Sequence, residues 1–153
     1  STAVGSGNSV SWTTNMYITD QADSATFGDR TNGNYYSWCA ATAGTCGEAI
    51  SGDAIAPSSI CPKGWGLPEN YGNLISLNNL TTGAQMNAAP YSFPYAGSIQ
   101  TGTLTANGSV GKYWSGASYD GNWARRLEFD SGTVGIYIDR RGYGLSVRCV
   151  SDY

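Results

Sequence analysis

At 153 residues the chain has the length of one domain, enough to bury roughly two-thirds of its surface around a single core. Charged residues make up 12%, about half the usual share, and 21 glycines with 11 tyrosines and 5 tryptophans point to short strands joined by tight turns, not to disorder. A net charge of −3 with only 8 cations excludes an electrostatic footprint for nucleic acid, and the lack of histidine removes every Ser-His-Asp, Cys-His and His-ligated zinc arrangement.

No run of about 18 apolar residues occurs, so no membrane-spanning helix is predicted. Any secretion signal is expected to have been removed or to lie outside this sequence. In chain order, Val10–Thr19 mixes Trp12, Met16, Tyr17 and Ile18 with polar residues and suits a first strand. Thr31-Asn32-Gly33-Asn34 signals a turn, and Tyr35–Ala41 begins a short helix or strand that periodicity does not decide. Ile60–Pro68 is too rich in Pro and Gly for a regular element, and Trp65 within it is expected to pack under the sheet. After Pro68, the spacing of Leu74, Ile75, Leu77 and Leu80 predicts an amphipathic helix, with Glu69 in its first turn favouring the dipole. A second short helix is expected near Ala84–Ala88, within a long turn-rich stretch over Thr81–Val110.

The last forty or so residues read as sheet, opened by Tyr113-Trp114-Ser115. Trp123, Arg125, Leu127 and Phe129 alternate with Ala124, Arg126 and Glu128. After the turn Asp130-Ser131-Gly132, Val134, Ile136 and Ile138 are placed inward against Gly135, Tyr137 and Asp139. Arg140–Tyr143 turns the chain again, and Gly144–Ser151 is predicted to return as a third strand with Leu145, Val147 and Cys149 inward. The expectation is one α+β domain over residues 1–153, with one or two helices packed on a small twisted antiparallel sheet.

Four cysteines without a CxxC pair argue against a zinc ribbon or a thioredoxin-type motif. Of the three possible connectivities, Cys39–Cys46 with Cys61–Cys149 is preferred; the alternative is four reduced thiols in a cytosolic protein. Disulfides place the chain outside the cell or on a cell or virion surface.

The segments Cys61-Pro62-Lys63-Gly64-Trp65-Gly66-Leu67-Pro68 and Gly144-Leu145-Ser146-Val147-Arg148-Cys149-Val150 resemble the "CPxGWxLP" and "GxSVRCV" blocks of the Fibrobacter succinogenes major paralogous domain. Trp12 with Asn15-Met16, Tyr36–Trp38 with Ala40-Ala41, and Tyr113-Trp114-Ser115 are further matches, so the likeness covers most of the chain. It implies a C-type-lectin-like fold, related to that of formylglycine-generating enzymes, and independently implies the Cys61–Cys149 bridge. It implies little about activity, because that fold hosts sugar binding, protein binding and oxidation chemistry.

Some proteins of this fold are variable proteins of diversity-generating retroelements, in which adenines of a C-terminal repeat are mutated and the altered residues form a binding face. Randomised AAY codons yield Asn, Tyr, Ser, Asp, Gly and Arg. Ser118, Tyr119, Asp120, Asn122, Arg126, Tyr137, Asp139, Arg140, Arg141 and Tyr143 are of these types and occupy turns and outward strand positions, whereas Glu128 is not such a product. They are the candidate ligand-binding residues, expected to form one solvent-facing patch rich in the Tyr and Arg that dominate interface hot spots. The bland reading is that polar residues on solvent faces are simply solvated. Trp123 and Arg125 share a face with Leu127 and Phe129, so Trp123 is expected in the core and Arg125 at its edge; Arg148 is expected to form a structural ion pair.

The resemblance thus implies a non-catalytic, surface-displayed binding domain whose partner is a protein or glycan on another cell or virion. No cofactor is expected. A structural surface or pilus-associated module is one alternative. A formylglycine-generating-type oxidase is another, for which Cys39 and Cys46 are the available thiols with no adjacent base. Calcium-dependent sugar binding lacks the lectin signatures; Asp120, Asn122 and Asp139 are its only candidate ligands. Asn79 and Asn107 match the glycosylation pattern, and Asn107 sits in the better turn.

Overall fold

The computed structural model describes residues 18–19, 34–45, 52, 54–69, 82–89 and 91–151. Its strands are β1 (Ile18–Thr19), β2 (Tyr35–Tyr36), β3 (Trp65–Gly66), β4 (Ser98–Gln100), β5 (Thr103–Thr105), β6 (Gly111–Ser118), β7 (Trp123–Phe129), β8 (Val134–Arg140) and β9 (Val150–Ser151). With two short helices among the described residues, α1 (Trp38–Ala41) and α2 (Gly83–Asn87), the fold is a small mixed α+β one. The helix predicted after Pro68 and most of the first predicted strand lie outside the described residues. The helix expected near Ala84–Ala88 is α2, closed by a capping box in which Thr82 and Gln85 exchange side-chain-to-backbone hydrogen bonds.

The central sheet is antiparallel in the order β6-β7-β8. Its register puts Trp123 opposite Arg140, Arg125 opposite Ile138, Leu127 opposite Ile136 and Phe129 opposite Val134. Directly paired residues share a face, so these lie on one side. Ala124, Arg126 and Glu128 lie on the other, opposite Asp139, Tyr137 and Gly135. The alternation read from the sequence is therefore correct. Asp130 closes the β7–β8 hairpin by accepting from the amides of Gly132 and Thr133, both at 2.8 Å, which holds its carboxyl below the usual range.

Both faces of this sheet carry core. On the first, Tyr113, Leu127 and Phe129 pack with Met86 and Phe93; the Phe93 ring meets Tyr113 edge-on at 5.0 Å. On the second, Trp114 and Ala124 pack with Trp38, Ala41, Leu67 and Leu145. The two buried indoles are satisfied: Trp38 donates to the Ser115 carbonyl at 2.9 Å and Trp114 to the Tyr36 carbonyl at 2.7 Å.

The C-terminal stretch does not return as a third strand beside β8. Gly144, Leu145 and Ser146 bridge to Ile99, Tyr36 and Tyr113 respectively, and Val150–Ser151 pairs with β3. The third strand of the sheet is β6, because the 144–146 segment is held at the far edge of that strand by Trp114 N–H donating to the Ser146 carbonyl and Ser146 N–H to that of Lys112. Trp65 is also placed differently from expectation. It sits on the edge strand β3 and is 50% exposed, and does not pack under the sheet.

The Cys61–Cys149 disulfide is present, with Cα atoms 5.7 Å apart across a separation of 88 residues. Closing a loop of that length restricts the unfolded chain by about 4–5 kcal/mol in the chain-entropy view. Cys39 is also disulfide-bonded; its expected partner, Cys46, lies outside the described residues. Among the described residues no helix is long and apolar enough to cross a membrane.

Candidate functional site

Two turns meet at one end of the central sheet. The first, from β6 to β7, is built on Asp120, whose Oδ1 accepts from the amides of Asn122 at 2.8 Å and Trp123 at 2.9 Å. The second follows β8 and is closed by Tyr143 N–H donating to the Arg140 carbonyl at 2.9 Å. Arg141 N–H donates to the Asn122 carbonyl at 2.9 Å and locks the two turns together. The β4–β5 turn joins them through Thr101, which has φ 48°, followed by Gly102 at φ 81°. Two positive φ values in a two-residue hairpin loop indicate a type I′ turn, and a β-branched residue in that region is strained.

Thr101, Gly121, Asn122, Arg140, Arg141, Gly142 and Tyr143 line a cleft of about 500 Å³ between these turns. Arginine–aromatic pairs flank it. The Arg140 guanidinium lies 5.2 Å from the Trp123 ring centroid, and Arg125 lies 5.4 Å from that of Tyr119, which is 45% exposed. Asn122, Arg140, Arg141 and Tyr143 of the sequence-derived set thus converge on one cleft. Trp123 is only partly buried and takes part in the flank, so it is not the core residue expected.

Tyr119 and Asp120 belong to the same end of the sheet, but Ser118, Arg126, Tyr137 and Asp139 do not join this patch. Tyr137 is exposed, but it lies on the opposite face of the sheet from Arg140, with the Arg126 guanidinium 5.4 Å from its ring. Arg126, Asp139 and Ser118 are buried and do not face solvent, and Arg141, though it lines the cleft, is itself 6% exposed. The reason is the second hydrophobic cluster: the face assumed to be outward also packs against the protein, so polar side chains there must be paired. Arg126 contacts Glu128 Oε2, lies 3.3 Å from Asp139 Oδ2 and donates to the Ile138 carbonyl at 2.6 Å. Lys112 completes the group at 3.6 Å from Glu128. Burial pushes the Asp139 carboxyl above the usual range, against the pull of Arg126 and Lys112. Ser118 donates to the carbonyl of Gly52 at 2.6 Å and lies 3.1 Å from that of Ala54, anchoring a neighbouring segment.

Asp120 and Asp139 do not cooperate as calcium ligands, since the first is engaged by turn amides and the second faces Arg126. Among the described residues no three of His, Cys, Asp and Glu cluster in a way that could hold a metal ion. Arg148 makes no ion pair among the described residues; its guanidinium donates to the Tyr91 carbonyl at 3.2 Å and lies 4.8 Å from the Phe93 ring centroid.

Sequence reasoning missed Thr101 and Gly142, and it held Gly121 only as part of the 117–122 stretch and not as a candidate contact. Thr101 reaches the cleft only through the long-range bridge between Ile99 and Gly144, a contact with no local signal. Comparison of the chain with protein-family profiles, curated proteins and solved structures gives no significant match.

Proposed function

We propose that the chain is a non-catalytic ligand-binding domain that works outside the cell and contacts a protein or glycan on another cell or virion surface. Its contact surface is the end of the sheet carrying Tyr119, Asn122, Trp123, Arg125, Arg140 and Tyr143. The observation that supports this best is the pair of arginine–aromatic stacks, Arg125 on Tyr119 and Arg140 on Trp123, beside an open cleft. Such residues supply most hot spots, and here they stand on a hydrogen-bonded hairpin frame that costs little ordering on binding. The Cys61–Cys149 bridge and the bonded state of Cys39 are consistent with an oxidising location.

The test is a panel of cell-surface glycans and proteins probed with the wild type and with a Tyr119→Ala, Trp123→Ala variant. The variant should stay folded and lose the ligands that the wild type retains. Unchanged retention by the folded variant would move the contact surface elsewhere.

The retroelement reading is narrowed by burial. Tyr119, Asn122, Tyr137 and Arg140 are exposed and free to vary, whereas Arg126, Asp139 and Arg141 are buried within interactions that hold the sheet and turns. A neighbouring reverse transcriptase gene and a near-copy of the C-terminal coding segment, differing at template adenines, are expected in the source genome. Their absence would sink diversification and leave the binding proposal standing.

A further inference from the structure

We infer that the cleft between the 119–122 and 140–143 turns is a carboxylate subsite, and that its ligand is an acidic sugar. This rests on the reading of that end of the sheet as the contact surface, and it adds the chemistry of the ligand.

Three backbone carbonyls of the cleft are already engaged, while two of its amides and a guanidinium are open. The Asn122 carbonyl accepts from Arg141 N–H, the Arg140 carbonyl from Tyr143 N–H and the Arg141 carbonyl from Trp38 N–H, each at 2.9 Å. The two turns contain one carboxylate, Asp120, and its Oδ1 already takes two amide hydrogens. Against this, the amides of Gly121 and Gly142 make no hydrogen bond among the described residues. The Arg140 guanidinium is exposed and makes no ion pair among them. It is held against the Trp123 ring, a position that immobilises the group while leaving its edge for a ligand. A concave site with two open amides beside a guanidinium unpaired among the described residues favours an anion.

Two features favour a sugar acid over other anions. The planar guanidinium of Arg140 matches a carboxylate in bidentate geometry. Asn122, Tyr143 and Thr101 also line the cleft; the Thr101 hydroxyl donates to the Gln100 carbonyl at 2.8 Å and keeps its lone pairs for a ligand, and the three side-chain types suit the hydroxyls and apolar face of a pyranose. The volume of about 500 Å³ is within the range of small-ligand sites and accommodates roughly one or two sugar rings.

The probes are digalacturonate, the neutral disaccharide galactobiose and a tetraglutamate peptide, titrated calorimetrically into the intact protein. Digalacturonate should bind roughly tenfold or more tightly than galactobiose, and its affinity should fall as NaCl is raised from about 50 mM to about 500 mM. Arg140→Ala, at an exposed position, should weaken it by roughly tenfold or more. At Gly121 an added Cβ meets nothing within 4 Å, so substitutions there are sterically free. Gly121→Asp should therefore weaken digalacturonate roughly tenfold more than the isosteric Gly121→Asn, a difference that only charge explains. Equal binding of the acidic and neutral disaccharides, equal effects of the two Gly121 variants, or tetraglutamate binding as well as digalacturonate would each overturn the inference. So would no binding by any probe; in that case, ligands lost from the panel on Tyr119→Ala, Trp123→Ala would still uphold the contact surface itself.

Discussion

The guanidinium of Arg141 lies 4.3 Å from the ring centroid of Trp38, and Trp38 N–H donates to the Arg141 carbonyl at 2.9 Å. The same guanidinium reaches the Trp123 carbonyl at 3.4 Å. One side chain therefore ties the start of α1 to the start of β7 and to the turn that forms the cleft. Burial draws its basicity below the ordinary guanidinium range, with the Asp120 charge opposing that shift. It still carries its proton at any working pH.

Its neighbour Arg140 is adjacent in sequence and opposite in role. Arg141→Ala should destabilise the fold by about 2 kcal/mol, the scale of a desolvated cation–π contact, and lower Tm by about 4–8 °C for a chain of this size. Arg140→Ala should stay within about 0.5 kcal/mol of wild type, as exposed substitutions usually do. Thermal unfolding of the two variants side by side checks this. Equal losses would mean that Arg141 is not the tie described.

The tryptophans give a second contrast. Trp38 is fully buried and its indole N–H is bonded, whereas Trp65 is half exposed at a sheet edge. Trp38→Ala should cost about 3–5 kcal/mol, the range for removing a buried large aromatic. Trp65→Ala should cost far less and leave a folded domain. Denaturant titrations separate the outcomes, and a Trp65→Ala protein that unfolds would show that the exposed side of this indole is covered in solution.

These contrasts show how much was legible in the sequence. Period-two alternation located β7, β8 and the Asp130 turn and assigned each residue to the right face, because alternation follows from strand geometry alone. It did not say that both faces are covered. That depends on Trp38, Ala41, Leu67 and Leu145 arriving from distant segments, and it is why Arg126 and Asp139 were expected in solvent and are buried. Arg140 and Tyr137, three residues apart on one strand, fall on opposite faces, so the single predicted patch splits in two. The final strand misled for a related reason. Leu145 is fully buried, but by bridging Tyr36 at another edge and not by extending the β8 hairpin.

Thr101 carries a positive φ that its β-branched side chain opposes, while the type I′ turn demands it. Asn tolerates this region, and Thr101→Asn should stabilise the domain by about 1 kcal/mol on the scale of a relieved left-handed residue. Urea unfolding at constant m-value checks it. A destabilised Thr101→Asn would show that the threonine makes a compensating contact across the cleft, and the subsite would then depend on it directly.

Asp139 and Arg126 make a buried pair whose facing atoms, Oδ2 and Nε, are 3.3 Å apart, and neither atom has a hydrogen-bond partner. Burial, helped by the nearby Glu128 charge, raises the Asp139 pKa more than Arg126, Lys112 and the Arg140 amide lower it, and the burial effect is larger than the Arg126 attraction. The raised value means that the folded state holds the Asp139 proton more tightly than the unfolded chain does. Between about pH 4, where an unfolded aspartate titrates, and the raised folded pKa, the folded state therefore carries the greater number of protons. By linkage, this group's contribution to stability is fully present below that window and is lost as pH rises through it. Asp139→Asn cannot titrate and removes this slope, while the opposite contribution of Asp130, whose pKa is lowered by turn amides, is common to both proteins and cancels in their difference. The wild type should thus lose Tm relative to Asp139→Asn between about pH 4 and pH 7. A wild type that gains on the variant over the same interval would show that the pairing with Arg126 overcomes the burial of the carboxylate.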